Sequence, residues 1–264
     1  MEWLSRWTPA GSVPRLLFLD TANHILAMDA VPQPHDEWKR LLLSGQIDMD
    51  HFRKFGELLA AIHRGSYLER RDVELLFRDQ SFFFSLRLDP YYLYTANNEP
   101  RAAMFLRELA QETQARRFGL VHGDYSPKNV LVRGDQLILL DHEAAHFGEP
   151  TFDVGFALTH FLSKALHLPE NRERLRAGAH GFWQAYQRGL PATPEFTDAS
   201  ERAVRHTLGC LLARVAGKSL LEYLTPRERE AQRAIVVRCI EEIPASVEAL
   251  IEKFIALALE RERG

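Results

Sequence analysis

The strongest constraint on the fold is a short apolar segment, VLVRGDQLILL, that is interrupted once by a turn signal and has polar residues at both ends. Gly134-Asp135 favours a tight turn between two short strands. With the turn there, residues 130–132 pair antiparallel with residues 137–139, and facing Cα atoms lie about 5 Å apart. The pattern therefore predicts that Asn129 and Asp141 lie side by side at the open end of a buried hairpin.

These two side chains place oxygen atoms at the open end of a hairpin that is otherwise apolar. Carboxylate and amide oxygens, together with waters and substrate phosphates, are the ligands that Mg²⁺ prefers. Asp124 lies five residues before Asn129 in the same loop. A carboxylate beside a divalent ion can orient an incoming hydroxyl group and accept its proton.

The remainder of the chain predicts a small β portion on a mainly helical body. Two apolar runs before residue 34, VPRLLFLD and HILAMDAV, are separated by turn residues and form a second β-hairpin. Apolar residues recur at helical spacing between Asp50, the expected N-cap, and Gly65, the expected C-terminus. Further helices are predicted after Pro100, over 153–167 with apolar residues on nearly every side, and near 170–188, 198–224, 226–242 and 245–262.

Composition excludes several functional classes. The net charge of −3, with 46% hydrophobic and 26% charged residues, is close to the globular average, so we expect neither nucleic acid nor a membrane as a partner. Cys210 and Cys239 lack metal-ligand spacing and are expected to be reduced core thiols. No secretory signal or membrane-spanning run is found, which predicts a soluble, cytoplasmic protein.

Three motifs resemble a known enzyme family. HGDYSPKN, LLDHE and FGEPTFDVG occur in the order of the H-G-D-x-x-x-x-N, D-x-[DE] and G-x-P-x-x-D pattern of aminoglycoside phosphotransferase and choline kinase-like enzymes, relatives of the protein kinases. The resemblance implies an α+β, protein kinase-like fold. It also implies that residues 1–34 are the remnant of an N-terminal β lobe with its hinge, and that residues 35–264 form the helical C-terminal lobe with the catalytic and substrate sites.

The resemblance also implies roles for individual residues. Asp124 corresponds to the catalytic base of the family. The expected metal ligands and the residues that support the loop follow the same motifs: Asn129, Asp141 and Glu143 as ligands of Mg²⁺, and His122 and Asp153 as structural residues, the latter bonded to the loop backbone. His142 and His146 are expected to be structural, because neither has a partner at metal-ligand spacing.

Nucleotide contacts are implied less directly. The segment ILAMDAV resembles the kinase hinge, where adenine meets the backbone, and makes Met28, Asp29 and Ala30 the expected contacts to ATP or GTP. A plain edge strand is the alternative for this segment. Lys128 could approach a transferring phosphoryl group as a point charge, or it could simply be a solvated loop lysine.

The resemblance is incomplete near the N-terminus. Kinases of this fold carry a glycine-rich phosphate loop and a strand lysine before the hinge. Here Gly11 is the only early glycine, and the first lysine is Lys39, which follows the hinge. Three explanations stay open: a truncated product of a longer kinase, a lobe supplied by another subunit or a homo-oligomer, or a fold that no longer transfers phosphate. A half-missing lobe is expected to leave apolar surface on the first hairpin and on the top of the helical body, part of which Trp3, Leu4 and Trp7 could cover.

The sequence is compatible with three functions. The leading hypothesis is transfer of the γ-phosphoryl group of ATP or GTP to a hydroxyl group of a small molecule. The second is a catalytically inactive binding module, and the third is metal-dependent hydrolysis by His122, Asp124, Asp141 and His142.

The acceptor is not determined by the sequence. Acidic residues near the aromatic segment 82–94, namely Asp79, Asp89 and Glu99, could bind a cationic acceptor or belong to a solvated face. The aromatic residues themselves could line a cleft or pack between helices.

Overall fold

The computed structural model describes residues 1–263 and has the α+β architecture that the sequence predicts. Three small antiparallel sheets lie beside a helical body. The first pairs β1 with β2, the second has the order β3-β5-β6, and the third pairs β4 with β7. The strands are β1 (Leu16–Asp20), β2 (Ile25–Met28), β3 (Asp36–Glu37), β4 (Gly119–Val121), β5 (Val130–Arg133), β6 (Gln136–Leu139) and β7 (His146–Gly148).

The helices account for most of the remaining chain. They are α1 (Glu2–Trp7), α2 (Trp38–Leu43), α3 (Met49–Leu68), α4 (Arg70–Phe77), α5 (Ser81–Phe83), α6 (Tyr94–Asn98), α7 (Ala103–Ala115), α8 (Thr151–His167), α9 (Arg172–Gly189), α10 (Pro194–Thr197), α11 (Ala199–Ala216), α12 (Pro226–Glu241) and α13 (Val247–Arg263). A π-helix covers Phe84–Leu93, and short 3₁₀ turns cover Pro100–Ala102, Pro127–Asn129 and Pro169–Asn171. Within the described residues, no helix is both long and apolar enough to span a lipid bilayer.

The register predicted for the hairpin β5-β6 is confirmed. Residues 130, 131 and 132 pair with residues 139, 138 and 137. Gly134 adopts φ +61°, the left-handed conformation that a tight turn requires and that glycine adopts without strain. The Leu140 N–H donates to the Asn129 carbonyl oxygen at 2.9 Å. Asn129 and Asp141 therefore leave the hairpin side by side.

The first hairpin, β1-β2, is exposed as expected. Leu17, Phe18 and Leu26 are each about half exposed, at 54%, 50% and 49%. The helix α1, which carries Trp3, Leu4 and Trp7, packs against α3 of the helical body rather than on this hairpin. Its Trp7 indole N–H donates to the Glu69 carboxylate at 2.8 Å, and Leu4 lies in the main core.

The core of the helical body is aromatic around α2, α3 and α8. Trp38 packs edge-on against Phe52, Phe55 and Phe161, with ring centroids 4.9–5.7 Å apart. Burying one such ring stabilises the fold by about 2 kcal/mol relative to an exposed ring. The helix α8 is buried on all sides, as its sequence predicts, apart from its last residue.

Several predicted boundaries differ from the structure. The α3 N-cap is Asp48, whose carboxylate accepts from the Asp50 N–H, and the helix runs through Gly65 to Leu68. Gly65 is an interior contact residue: a Cβ atom there would lie 2.2 Å from the Trp7 ring. The glycine therefore admits a tertiary neighbour rather than ending the helix. Likewise, α11 ends at Ala216, well before residue 224.

Candidate active site

The loop between β4 and β5 is fixed by one buried carboxylate. Asp153, near the start of α8, is fully buried. Its Oδ2 accepts the His122 N–H at 2.6 Å, and its Oδ1 accepts the Gly123 N–H at 2.9 Å. His63 Nε2 lies 3.3 Å from Oδ2. These bonds tie the backbone immediately before Asp124 to the most buried helix of the protein.

Asp124 directly follows this hydrogen-bonded segment and lies beside two cations. Its Oδ2 lies 3.1 Å from Arg87 Nη2 and 3.5 Å from Lys128 Nζ, and the Asp124 and Arg87 side chains are each 11% exposed. Burial by itself would raise the pKa of Asp124, but the charges of Arg87 and Lys128 outweigh it, so that the pKa lies below its ordinary value. Asp124 is therefore ionised at neutral pH.

His122 lies behind Asp124 and does not face solvent. Its Nδ1 accepts the Asp124 N–H at 3.2 Å, which assigns the proton to Nε2, 3.2 Å from the Leu140 carbonyl oxygen. His142 Nδ1 is a further 3.2 Å from this Nε2. Burial lowers the pKa of His122, and burial together with His122 lowers the pKa of His142 to about 2. Both rings are neutral and connect the loop to the hairpin end.

Asn129 and Asp141 provide oxygen atoms at the hairpin mouth. The Asn129 Nδ2 donates to the Asp124 carbonyl oxygen at 3.0 Å, which leaves the amide oxygen as the atom that can bind a cation. Asp141 adopts φ +61° and is exposed, as is Glu143. Neither carboxylate forms an ion pair with any described residue. An amide oxygen and free carboxylates are a donor set that fits Mg²⁺.

The hydrolytic alternative needs a denser ligand cluster than this one. Within residues 1–263, no group of three or more His, Cys, Asp or Glu side chains is placed to hold a metal ion. His146, buried at the start of β7, stacks on Phe83 and bonds to the Ala144 carbonyl oxygen. His122 and His142 bond to each other, so the structure offers no support for hydrolysis by a transition metal.

The proposed hinge residues lie at the end of β2, which Met28 closes, and directly after it. Met28 pairs with Leu16, and the Asp29 N–H donates to the Arg15 carbonyl oxygen at 2.9 Å. The Asp29 carboxylate also pairs with the exposed Arg15 guanidinium. The Asp29 N–H is thus used inside the hairpin, while Ala30 is exposed.

A cavity of about 260 Å³ opens on the other side of Asp124. Lys128 lies on its rim, and Arg87 and Tyr91 of the π-helix contribute one wall. Other lining residues come from elements far apart in the sequence: Lys39 of α2, His160 of α8, Arg214 of α11, and residues 219–223 of the following loop.

Sequence reasoning missed three of these basic residues, Arg87, Lys39 and Arg214, but had named Lys128. Arg87 was detectable as the only cation within the aromatic segment 82–94, whereas Lys39 and Arg214 carry no local signal. Of the aromatic residues, Tyr91 lines the cavity and Phe83 and Tyr92 are core residues.

The acidic residues considered for a cationic acceptor do not line this cavity. Asp79 caps the Ser81 N–H, Asp89 pairs with Lys218 at 3.4 Å, and Glu99 is buried against Arg233.

Comparison with known proteins identifies the family of this sequence. The sequence model of the phosphotransferase enzyme family, APH, matches residues 1–196. No curated protein matches the chain significantly.

Solved structures share the fold at low sequence identity. A choline/ethanolamine kinase family protein from Mesorhizobium loti is 14% identical, with a TM-score of 0.51 over 97% of this chain and 80% of that one. The amicoumacin kinase hAmiN, solved with AMP-PNP, Ca²⁺ and Ami, is 11% identical, with a TM-score of 0.50 over 93% of this chain and 76% of that one. A glucosamine kinase is 16% identical, with a TM-score of 0.50 over 98% of this chain and 69% of that one.

The predicted protein kinase-like fold is thereby confirmed, and the family match covers well over half of the sequence. The chain belongs to the APH phosphotransferase enzyme family.

Proposed function

We propose that this protein transfers the γ-phosphoryl group of ATP or GTP to a hydroxyl group of a small molecule, with Asp124 as the catalytic base. The observation that carries the proposal is the position of Asp124. Its carboxylate is tethered through Asp153, kept ionised by Arg87 and Lys128, and lies at the boundary between the hairpin mouth and the cavity.

This arrangement suits phosphoryl transfer, in which the protein mainly positions the reactants and neutralises charge. A hydroxyl group in the cavity can donate its hydrogen bond to the Asp124 carboxylate, which then accepts the proton as the oxygen–phosphorus bond forms. Arg87 and Lys128, already within 3.1–3.5 Å of that carboxylate, are placed to stabilise negative charge on the transferring group.

The metal and nucleotide would occupy the opposite side of Asp124. Asn129 and Asp141, with Glu143 beside them, would hold Mg²⁺, which when bound neutralises the nucleotide phosphates. Met28, Asp29 and Ala30 remain the proposed base contacts. The structural neighbour that binds AMP-PNP and Ca²⁺ supports the use of a nucleotide and a divalent ion.

The test is Mg²⁺-dependent release of nucleoside diphosphate from ATP and GTP, measured with a panel of hydroxyl compounds. We expect Asp124→Asn to lower the rate at least about 100-fold, the scale of general base catalysis. Asp135→Asn, on the exposed turn of β5-β6, is the matched control and should retain the wild-type rate. Equal rates for Asp124→Asn and wild type would contradict the role of Asp124.

A catalytically inactive binding module is the second candidate. The observation that favours it concerns Lys39, the first lysine of the sequence: its ammonium group pairs with the Glu222 carboxylate in the cavity wall. Lys39 therefore does not substitute for the phosphate-binding lysine of kinases. Calorimetry with ATP and Mg²⁺ separates the two candidates, since the module predicts no nucleotide binding at millimolar concentration.

A further inference from the structure

The cavity beside Asp124 has an excess of positive charge. Four basic side chains line it, Lys39, Arg87, Lys128 and Arg214, against two carboxylates, Asp124 and Glu222. The carboxylates are already engaged: Asp124 by Arg87 and Lys128, and Glu222 by Lys39.

Arg214 differs from the other three basic residues of the cavity because its polar partners are all neutral groups. Its Nη1 donates to the Tyr91 hydroxyl at 2.9 Å and to the Ser219 carbonyl and hydroxyl oxygens at 2.7 Å, all of them neutral groups. Its Nε is buried without a hydrogen-bond partner. Among the described residues, no carboxylate forms an ion pair with Arg214. A partly buried guanidinium held by neutral groups is a preformed site for a carboxylate or phosphate group.

His160 adds a second unused polar group to the lining of the cavity. Its ring is 5% exposed and has no hydrogen-bond partner in the described part of the chain. Burial lowers the pKa of His160 well below its ordinary value, so the ring is neutral and can donate one N–H. Arg214 and His160 together provide donors without adding an acidic group.

The position of the cavity assigns it to the acceptor rather than the nucleotide. Its lining shares Asp124 and Lys128 with the proposed phosphoryl-transfer site, but includes neither Asn129 nor Asp141, nor any residue of the hinge. Its volume of about 260 Å³ lies just below the range of about 300–1,000 Å³ common for drug-sized ligands. The occupant is therefore a small molecule.

We infer that the acceptor is a small hydroxyl compound that carries an anionic group, a carboxylate or a phosphate, bound by Arg214 while its hydroxyl group faces Asp124. This inference rests on the proposed function and specifies its substrate class. In the transfer step the hydroxyl oxygen forms a bond to the γ-phosphorus, and the bond from that phosphorus to the bridging oxygen breaks. The nucleoside diphosphate leaves with the electron pair, and the proton passes to Asp124.

The test measures binding of a matched three-carbon series by calorimetry, without requiring turnover. Glycerate and glycerol 3-phosphate carry the two anionic groups, glycerol is neutral, and 3-aminopropane-1,2-diol is cationic. We expect at least one anionic compound to bind about tenfold or more tightly than glycerol and the amine. The stronger of the two identifies carboxylate or phosphate as the recognised group, and inorganic phosphate alone shows whether the hydroxyl portion contributes.

Variants distinguish the cavity from general surface charge. Arg214→Gln should weaken binding of the anionic compound about tenfold or more, and Lys39→Gln, at a lysine already paired with Glu222, should weaken it less. Arg238→Gln removes the same charge from an exposed position paired with Glu260 and should bind as wild type does. Circular dichroism of each variant checks that it is folded.

The outcomes separate this inference from the proposed function. Asp124→Asn removes a negative charge from the cavity, so it should bind the anion at least as tightly as wild type while losing transfer activity. Anion binding in wild type without transfer to any compound tested would support an anion site at Arg214 and contradict the proposed function. Absence of binding by both anionic compounds, tighter binding of the amine, or unchanged binding by Arg214→Gln would each overturn the inference.

Discussion

Replacing Asp153 with asparagine tests whether one buried carboxylate holds the loop that carries Asp124. The two Asp153 oxygens accept the His122 and Gly123 N–H groups at 2.6 and 2.9 Å. Asparagine keeps the shape of the side chain but presents an NH₂ group in place of one oxygen. One backbone N–H would then face another donor in a site with no exposure to solvent.

The magnitude follows from the bond that is lost. A hydrogen bond to a charged group contributes about 1.5–3 kcal/mol, and a buried donor left unpaired costs about 1–3 kcal/mol. We therefore expect Asp153→Asn to lower the free energy of unfolding by about 3 kcal/mol. A loss of this size is large for a single substitution, because most surface changes fall within about 0.5 kcal/mol.

Urea unfolding followed by circular dichroism measures this difference. The control is Asp135→Asn, which makes the same chemical change at a carboxylate that is 96% exposed and pairs with Lys54; its unfolding curve should match that of wild type. If Asp153→Asn unfolds within about 0.5 kcal/mol of wild type with an unchanged denaturant slope, the carboxylate does not hold the loop.

Three further predictions concern neighbouring positions. Gly123→Ala should lower the stability by about 1–3 kcal/mol in thermal unfolding, since the residue has φ +78° and a Cβ atom would lie 2.8 Å from the Ala144 Cβ; an unchanged melting temperature would contradict the tight packing. Arg87→Met should raise the pKa of Asp124 in a carbon-13 NMR titration. The folded-state pKa of Asp124 is lowered in wild type, so the ion pair stabilises the fold at pH values above the unfolded-state pKa. This contribution is lost as the pH falls through the folded-state pKa. Burial lowers the pKa of His206 from 6.5 to about 3, so the unfolded state binds the extra proton and wild-type stability should fall as the pH is lowered between these values. His206→Gln should make the free energy of unfolding less dependent on pH over this range. If the dependence is as steep as in wild type, His206 does not contribute to it.

The hairpin was predictable because its signals are local. Two short apolar runs and the Gly134-Asp135 turn between them fix the pairing, because a tight turn sets the register of the two strands that it joins. The neighbouring positions of Asn129 and Asp141 follow from that register alone. The confirmed register and the Leu140–Asn129 hydrogen bond show that short-range chemistry was sufficient here.

Gly65 shows where local signals fail. A glycine near the end of an apolar helical pattern commonly marks a C-cap. Here the residue is inside α3 because the Trp7 ring, 58 positions earlier in the sequence, occupies the space of its missing side chain. The sequence contains both residues but not the contact between them.

The sequence by itself determined the family, the apolar hairpin and the set of polar residues that surround it, because each depends on short motifs or on spacing along one element. Only the tertiary structure decided what surrounds Asp124. Arg87 comes from a π-helix, Lys39 from α2 and Arg214 from α11, and these elements meet because their apolar faces share one core. The charge of the cavity beside Asp124 is a sum over residues brought together by packing, and for that reason it could not be obtained from their order in the chain.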